Sequence, residues 1–329
     1  MSPLWDNETD NREVHGEASL NEDFAAPGKA RVDADLLRGL MKKSDLAGGL
    51  QLASHLAAIA CSGTGLWLTW GSWWSVPFFV AHGMLVNWLY AAQHEASHDT
   101  VFRRRWMNEW LGRVTGFILI YPRDHDRWQH LCHHRHTQDP ERDSELAFEN
   151  NGRFAGWLGL SGLSFWRGLV TNLIRHAVTG RKQPRTEYYL DSKMERRVVA
   201  EARWHLAGYA LIAALSVWTG SWAAVTMWLA PMLAMSWTHQ IQNIIEHTGM
   251  PFTSDTWTNT RTVRANPLMR WLAWQMVYHT AHHTYPGVPF HRLAALHRAI
   301  IEARGEEPVT STYFEQFART LGEPFRRPA

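Results

Sequence analysis

Apolar residues are gathered into two long stretches of the chain that carry no formal charge. Residues 46–94 contain no Asp, Glu, Lys or Arg over 49 positions, and residues 204–245 contain none over 42. A helix needs about 20 apolar residues to cross the hydrocarbon core of a bilayer. Each stretch is therefore long enough for two spans and a tight turn, and the pattern predicts two membrane hairpins, at 46–95 and 204–247.

A short motif near the middle of each stretch marks the predicted turn. Residues 69–73 read Thr-Trp-Gly-Ser-Trp, and residues 218–222 read Trp-Thr-Gly-Ser-Trp. Gly and Ser favour turns, while Trp is typical of the boundary between membrane and water. The alternative is a soluble helical protein with two long buried helical pairs, which would have to bury 49 consecutive uncharged residues.

Lysine and arginine residues lie entirely outside the two hairpins. Of the 33, six precede the first hairpin, 18 lie between the hairpins and nine follow the second. Basic residues concentrate on the cytoplasmic side of membrane proteins, so both termini and the central segment are expected to be cytoplasmic. The predicted fold is all-α, with four transmembrane helices in two hairpins and a cytoplasmic helical cap. The segments outside the hairpins are a polar tail at 1–45, a central segment at 96–203 and a C-terminal segment at 248–329.

Shorter patterns predict further helices outside the hairpins. Residues 34–43 are expected to form a short helix, and the tail before them contains no apolar core of a signal peptide. The apolar run at 110–121 and the amphipathic pattern at 154–178 are expected to lie at the membrane surface. The basic run Arg181, Lys182 and Arg185 is expected to face lipid headgroups or an electron-donor protein, or to be a solvated loop.

Composition excludes several classes of protein. The chain has 329 residues, a formal net charge of +2 and only two cysteines. The near-neutral charge argues against a dedicated nucleic-acid-binding protein. Two cysteines exclude a disulfide scaffold, a four-cysteine zinc site and a cysteine-ligated iron–sulfur cluster within this chain.

Nine of the 19 histidines occur in metal-ligand spacings close to the predicted cytoplasmic ends of the spans. The spacings i, i+3 and i+4 place side chains on one face of a helix. The set comprises His94, His98, His130, His133, His134, His247, His279, His282 and His283. Neutral imidazole suits Fe, Zn, Cu and Ni, and nine ligands are too many for one ion and about right for two. Two irons with open positions could bind and reduce O2, and the apolar bundle beside them predicts an apolar chain as the target.

The order and flanking residues of these clusters carry a family resemblance. The motifs are HxxxH at 94–98, HxxHH at 130–134, HxxHH at 279–283 and NxxxH at 243–247. Asp99, His136-Thr137, Asp139-Pro140-Glu141 and the run Tyr-Pro-Gly-Val-Pro at 285–289 extend the match. Over about residues 46–300 the chain resembles the integral-membrane fatty acid desaturase and hydroxylase superfamily.

The resemblance implies a di-iron centre held by the nine histidines, with Asn243 contacting it through water and O2 as co-substrate. Zinc is expected to compete for the site in overexpressed protein. The implied reaction is oxidation of an unactivated C–H bond in a lipid or acyl-thioester substrate, giving desaturation or, on the same residues, hydroxylation. No extension of this sequence fits a fused haem domain. The electrons are therefore expected from a separate protein of ferredoxin, rubredoxin or cytochrome b5 type and its reductase.

Several polar residues near the clusters are candidates for supporting roles. Glu95, Asp99 and Glu246 could accept the second N–H of ligating histidines, or they could be surface carboxylates. His136 is expected to hydrogen-bond to a metal ligand without binding the metal itself, or to supply a tenth nitrogen ligand. His239, on the helix face of Asn243, is expected to hydrogen-bond between helices or to line the substrate cavity. Two lone histidines of the first hairpin are expected to be structural: His55 and His82.

Two other classes of protein share part of this pattern. Residues 94–98 also read HExxH, the signature of zinc metalloproteases. A protease would leave seven of the nine histidines unexplained, and no Asp in the chain is followed by Gly, as the second motif of membrane proteases requires. A metal transporter would place its ligands at mid-membrane, whereas these lie at one mouth of the bundle. The oxidoreductase is favoured over both alternatives.

Overall fold

The computed structural model describes residues 32–146 and 160–322, which are mostly helical with one small sheet. The all-α fold class is thereby confirmed. The α-helices are, in chain order, α1 (Ala34–Leu40), α2 (Asp45–Thr69), α3 (Ser75–Asn87), α4 (Leu89–Ser97), α5 (Arg105–Ile118), α6 (Arg123–His136), α7 (Leu163–Thr179), α8 (Ser192–Thr219), α9 (Ala230–Ala234), α10 (Trp237–His247), α11 (Thr256–Asn259), α12 (Pro267–Leu272), α13 (His279–Thr284), α14 (Leu293–Arg304) and α15 (Tyr313–Gly322). The strands are β1 (Thr262–Arg264) and β2 (Thr310–Thr312).

The first uncharged stretch folds as a hairpin that turns where the Trp-Gly-Ser motif predicts. Ser44 caps the start of α2, its side chain accepting a hydrogen bond from Ala47 N at 3.2 Å. The chain reverses between α2 and α3 through Gly71, which has a φ of +84°. The returning arm is interrupted at Trp88, so that α3 and α4 are separate helices.

The second uncharged stretch also reverses at its predicted turn, but its two arms differ. The outgoing arm, α8, is a 28-residue helix that begins at Ser192, well before the stretch itself, and ends at Gly220 with a φ of +63°. The returning arm is broken into a π-helical turn (Val225–Leu229), α9 and α10. Pro231 at the start of α9 lacks the N–H that a continuous helix would require there.

Among the described residues, α2 is the one helix that is both long and apolar enough to cross a membrane. The helices α3 and α4 have 13 and 9 residues, and α10 has 11. The first turns of α8 are charged, with Glu195, Arg196 and Arg197. The first hairpin is therefore present as two packed arms, whereas the returning arm of the second packs against α3, and the passage of both through a membrane stays a prediction.

The apolar side chains of both hairpins are largely exposed. Trp73 at the tip of the first hairpin is 92 % exposed, and Trp218 at the tip of the second is 81 % exposed. Further exposed apolar side chains follow the arms: Leu46, Leu50, Leu56, Trp67, Leu68, Trp70, Trp74, Leu211, Leu215, Val217 and Trp222. Removing apolar surface from water is favourable by about 25 cal/mol per Å². An apolar environment would therefore stabilise this exposed surface.

The predicted short helices outside the hairpins are also present. The helix expected at 34–43 is α1, and the apolar run at 110–121 lies largely in α5. The amphipathic pattern at 154–178 corresponds to α7 from Leu163 onward, while 154–159 and the polar tail up to residue 31 lie outside the described residues. Both α5 and α7 leave one apolar face exposed, at Trp106, Trp110 and Val114 in α5 and at Leu163, Val170, Ile174 and Val178 in α7.

The C-terminal segment packs around the third histidine cluster. The strands β1 and β2 pair in parallel, with Thr262 opposite Thr310 and Arg264 opposite Thr312. Trp274, Leu293 and Leu296 are fully buried beside α13. The short helix that carries the cluster thus packs against fully buried residues of the core.

Candidate metal centre

Each histidine cluster lies at or near the end of a helix. His94 lies in the last turns of α4 and His98 caps its end. The middle cluster, residues 130–134, occupies the last two turns of α6, and residues 279–283 fill most of α13. His247 is the last residue of α10. Because these four helix ends converge, all nine histidines meet in one place.

Five of the nine form one group with their ligand nitrogens within 4.8 Å of one another. Group one consists of His94, His98, His130, His134 and His282. His130 Nε2 lies 2.9 Å from Nε2 of both His98 and His134. The rings of His94 and His282 close the group, with centroids 4.8 Å apart.

The remaining four histidines form group two. His133, His247 and His283 place their ligand nitrogens within 4.8 Å of one another. His247 Nε2 lies 3.2 Å from His133 Nε2 and 2.7 Å from His279 Nε2, so His279 joins this group. The stacked rings of His134 and His283, with centroids 4.0 Å apart, connect group two to group one.

The chemistry of this donor set fits metal ions. Two nitrogens bound at about 2.1 Å to one ion, at a right angle, lie about 3.0 Å apart, which is the separation of the Nε2 pairs in both groups. Several buried ring nitrogens have no hydrogen-bond partner, among them both nitrogens of His282 and Nε2 of His283. Buried polar atoms rarely remain unpaired. Two ions, one in each group, would satisfy one nitrogen of His282 and Nε2 of His283.

Oxygen atoms lie close to Nδ1 of several of these rings, on the side away from the ligand nitrogen Nε2. Asp143 Oδ1 lies 2.8 Å from His133 Nδ1, and Glu145 Oε1 lies 3.2 Å from His130 Nδ1. Glu246 Oε1 lies 3.2 Å from His279 Nδ1 but does not form a hydrogen bond with it, so the supporting role expected of Glu246 stays a prediction. An acceptor at Nδ1 holds the proton there and leaves Nε2 free for a metal.

A hydroxyl group supports one further ring. Thr137 Oγ1 donates to the backbone oxygen of His133 at 2.8 Å and lies 3.2 Å from His283 Nδ1. Since its proton is donated to His133 O, the hydroxyl accepts a hydrogen bond from His283 Nδ1.

The sequence analysis did not predict the supporting contacts of Thr137, Asp143 and Glu145. The acidic residues that follow the second cluster indicated that such contacts exist. Only the fold shows which of these carboxylates reach the histidine rings.

Comparison with known proteins agrees with this geometry. The profile of the family described as "Fatty acid desaturase" matches residues 50–314. The chain belongs to the fatty acid desaturase family. The match contains all nine histidines of the two groups, from His94 to His283.

The relatives found for this desaturase-family chain are distant. It is 24 % identical over 261 residues to the sn-1 oleoyl-lipid 12-desaturase of Anabaena variabilis, covering 76 % of this chain and 63 % of that protein. It is 23 % identical over 251 residues to the protein of the same name from Picosynechococcus sp., covering 70 % of each. The corresponding protein of Arthrospira platensis is 20 % identical over 305 residues, covering 85 % of this chain and 84 % of its own.

Other residues proposed as supports occupy different positions. Glu95 is buried and accepts hydrogen bonds from Thr100 Oγ1 at 2.6 Å and from Phe290 N at 3.2 Å. Asp99 pairs with Arg127 at 3.0 Å. Neither carboxylate contacts a ligand ring: Glu95 lies within α4 and is held by Thr100 and Phe290, and the chain turns away at Asp99, whose φ is +56°.

Two further candidates lie beside the centre without bonding to it. Within the described residues, the Asn243 side chain makes no hydrogen bond, although it lies one turn before His247 on α10. His136 is the last residue of α6 and is only partly buried. The arginines near its ring contribute, after burial, to lowering the pKa of His136.

Two lone histidines of this desaturase-family chain, His55 and His82, make hydrogen bonds between segments, whereas His239 makes ring contacts. His55 lies 2.9 Å from Leu85 O and accepts from Trp274 Nε1 at 3.1 Å. His82 lies 3.0 Å from both Ser62 Oγ and Met227 O. His239 packs edge-on against Tyr90, with ring centroids 4.6 Å apart. These contacts agree with the structural roles expected of His55 and His82.

The electrostatics of the two groups differ. Burial lowers the pKa of His98, His130, His134 and His282, which keeps these imidazoles neutral, the form that binds metal. Burial also opposes the charge of His133, but Asp143 and Glu145 outweigh it and raise the pKa of His133 to about 9. Group two therefore carries a charged imidazole paired with Asp143 at neutral pH.

A third buried cluster lies outside the two groups. Glu187 accepts hydrogen bonds from His125 Nε2 at 3.1 Å and from His176 Nε2 at 2.9 Å. Burial opposes the charge of Glu187, but its hydrogen bonds to the two histidines keep its pKa well below its usual range. The cluster ties α6 to α7 and to the loop that follows α7. Sequence reasoning missed it because no spacing pattern links residues so far apart.

Proposed function

We propose that this chain is a membrane-bound, O2-dependent di-iron oxidoreductase that desaturates the acyl chain of a lipid. The observation that carries the proposal is the convergence of nine buried or half-buried histidines into two groups, each with the spacing of ligands around one ion. Family membership supports the same reaction class. The relatives are named as oleoyl-lipid desaturases, which favours a lipid-linked acyl chain over a free acid as the substrate class.

The proposed placement has both hairpins in the membrane and the metal centre at the cytoplasmic surface. The exposed apolar side chains of the arms and the tryptophans at both hairpin tips support it. The distribution of basic residues, none of which lies within either hairpin, supports the orientation. We expect a reporter inserted near Gly71 to be active only outside the cytoplasm and one fused at Ala329 only inside. The reverse result would contradict the orientation.

In the proposed centre, the groups one and two would each hold one iron. Bound iron would supply the activation of O2 and the removal of hydrogen from an unactivated C–H bond. The outer contacts of Asp143, Glu145 and Glu246 would fix the ring orientation and leave each Nε2 directed at its ion. Electrons would come from a separate donor protein of ferredoxin, rubredoxin or cytochrome b5 type and its reductase.

A small cavity beside group one offers a place for the reacting part of the acyl chain. It is lined by Tyr90, Leu119, Phe165, Trp166 and His239, among others. The ring of Tyr90 lies 6.3 Å from that of His94. The cavity is only about 20 Å³, so an acyl chain would enter it by displacing the surrounding side chains, which would then hold the chain in a fixed register beside the ligands.

The decisive experiment supplies membranes containing the protein with a mixed pool of lipids and acyl thioesters, O2 and a reductase chain. Mass spectrometry then follows the loss of two hydrogens or the gain of one oxygen. Loss of two hydrogens is expected. The His98→Ala variant should abolish it, whereas the matched control His291→Ala, a histidine outside both groups, should not. Gain of oxygen alone would establish a hydroxylase instead.

A further inference from the structure

His247 lacks a support that two other ligands of group two have. Its Nδ1 atom is buried and has no hydrogen-bond partner, whereas Asp143 lies 2.8 Å from Nδ1 of His133. It is also the last residue of α10 and the one member of the nine histidines that this helix carries. The last four carbonyl groups of a helix have no partner within the helix. The position of the His247 ring therefore depends on what holds the end of α10.

Arg261, which lies just before β1, caps the end of α10. Its backbone N donates to Glu246 O at 2.9 Å. Its guanidinium donates to the backbone oxygens of Ile245 and Thr248, the latter at 3.2 Å. The residue is buried and, within the described parts of the chain, pairs with no carboxylate. Its positive charge therefore faces the negative end of the α10 dipole.

Gln138, in the loop after α6, holds the backbone of His247 itself. Its Nε2 donates to His247 O at 2.7 Å, and that oxygen also accepts from Met250 N at 3.1 Å. The backbone N of Gln138 donates to Asp143 Oδ2 at 2.8 Å, and Asp143 Oδ1 lies 2.8 Å from His133 Nδ1. One chain of hydrogen bonds thus joins His133 on α6 to His247 on α10, two ligands whose Nε2 atoms are 3.2 Å apart.

The backbone of Gln138 has a conformation that residues other than glycine rarely adopt. Its φ is +62°, and the residue is 1 % exposed. Such a conformation is unfavourable and persists where the surrounding contacts impose it, commonly at functional sites. Here the imposing contacts are those with Asp143 and His247, which the backbone N and the side-chain amide of one residue reach on two different elements.

We propose that Gln138 and Arg261 are positioning residues that direct His247 Nε2 toward the ion of group two. Neither binds the ion: Gln138 ties the end of α10 to the loop after α6, and Arg261 holds the carbonyl groups around that end. Because α10 carries no ligand of group one, their effect is confined to group two. This inference rests on the metal centre of the proposed function but not on desaturation, since metal binding is measurable without turnover.

The test measures Co²⁺ binding to the chelator-treated full chain in neutral detergent, in two backgrounds. His98→Ala leaves group two complete, and His247→Ala leaves group one complete. We expect Gln138→Ala to weaken binding about tenfold in the first background, the low end for outer partners of metal ligands. It should change nothing in the second, where the ligand through which it acts is already absent. The matched control Gln51→Ala removes a glutamine amide that donates to Trp271 O at 2.8 Å and should change neither.

Arg261 is tested in the same two backgrounds. Arg261→Gln should weaken Co²⁺ binding at group two by about tenfold, and Arg261→Lys should retain part of the affinity because it keeps the charge and a donor. The matched control is Arg203→Gln, since Arg203 Nε donates to Ala177 O at 3.1 Å near the end of α7. Unchanged binding at group one in each variant confirms that the chain is folded.

Three results would overturn the proposal. Unchanged binding at group two in Gln138→Ala or in Arg261→Gln would remove the role of that residue, and equal weakening in both backgrounds would show a general effect on the fold. An unaltered protein that binds no Co²⁺ would contradict the proposed metal centre together with this inference. A protein that binds two ions but desaturates nothing would contradict the proposed function and leave this inference standing.

Discussion

The two histidine groups share one type of ligand but differ in what lies behind the rings. In group two, two of the four Nδ1 atoms have an oxygen partner, Asp143 or Thr137, and the Nδ1 of His279 lies 3.2 Å from Glu246 without a hydrogen bond. In group one, only His130 has such a contact, with Glu145, and the Nδ1 atoms of His94, His134 and His282 are unpaired within the described residues.

This difference indicates two ways of building a metal site. Group two is ordered by hydrogen-bond acceptors that fix both the tautomer and the charge of its rings. Group one is ordered by the packing of α4, α6 and α13, which bring its five rings together with one outer partner, Glu145 at His130. The metal affinity of group two is therefore expected to depend on polar contacts and pH. The metal affinity of group one is expected to depend on the positions of its helices.

Removing one ligand from each group should have the largest effect. We expect His98→Ala, in group one, and His247→Ala, in group two, to abolish turnover, because each ion loses a direct ligand. Metal analysis should find about one ion per chain in each variant and two in the control His291→Ala. Two ions and normal turnover in His247→Ala would remove this residue from the centre.

The pH dependence of metal uptake should separate the groups. Chelator-treated protein carries a charged His133 at neutral pH, because Asp143 and Glu145 overcome burial and raise its pKa to about 9. Binding at group two must release that proton, so its affinity should rise by about tenfold per pH unit from pH 7 toward pH 9. Group one, already neutral, should bind equally well across this range. Titration with Co²⁺ at several pH values measures both.

Replacing Asp143 should weaken group two alone. Loss of an outer partner of a metal-binding histidine typically costs about 10–100-fold in metal affinity or activity, and Asp143→Asn should fall in this range. The same variant should reduce the pH dependence of uptake, a readout that a general loss of stability would not move. Asp139→Asn is the matched control, since Asp139 pairs with Arg142 nearby at 2.6 Å. An equal loss in both variants would contradict the role given to Asp143.

Replacing Asn243 should affect the metal centre less than replacing Asp143. Its side chain makes no hydrogen bond within the described residues, so its contact with the centre would run through water, as the family resemblance implies. Asn243→Ala is expected to retain both metals and to lose about tenfold in turnover, at the low end of outer-partner effects. Loss of one metal would mean that Asn243 acts as a direct ligand.

Replacing His82 should leave both groups intact. His82→Ala removes hydrogen bonds to Ser62 and Met227 in the hairpins. Such a loss costs on the order of 1–3 kcal/mol of stability. A lower midpoint of thermal unfolding with two metals and near-normal turnover is expected. Selective loss of metal from one group would link that group to the hairpin packing.

The sequence predicts the hairpin turns and the meeting of the nine histidines because both follow from local patterns. Gly71 and Gly220 lie at the reversals, and helical spacing aligns the ligands within each cluster. The breaks in the returning arms are not predictable in this way. An apolar run has the same composition whether its helix is continuous or interrupted, and Trp88 carries no signal of the interruption.

The outer contacts escape sequence reasoning for a different reason. Glu95 and Asp99 are adjacent to ligands, yet Glu95, within α4, bonds to Thr100, and Asp99, in the turn after α4, pairs with Arg127. Asp143 lies ten residues after His133 and still reaches its ring. Proximity in sequence therefore identifies the ligands, whereas the loop conformation decides which carboxylates support them.

Two helices supply ligands to both groups. The helix α6 directs His130 and His134 to group one and His133 to group two, and α13 directs His282 to group one and His279 and His283 to group two. Filling one group would hold these helices in place and remove part of the ordering cost for the other. Binding of the first ion would then favour binding of the second.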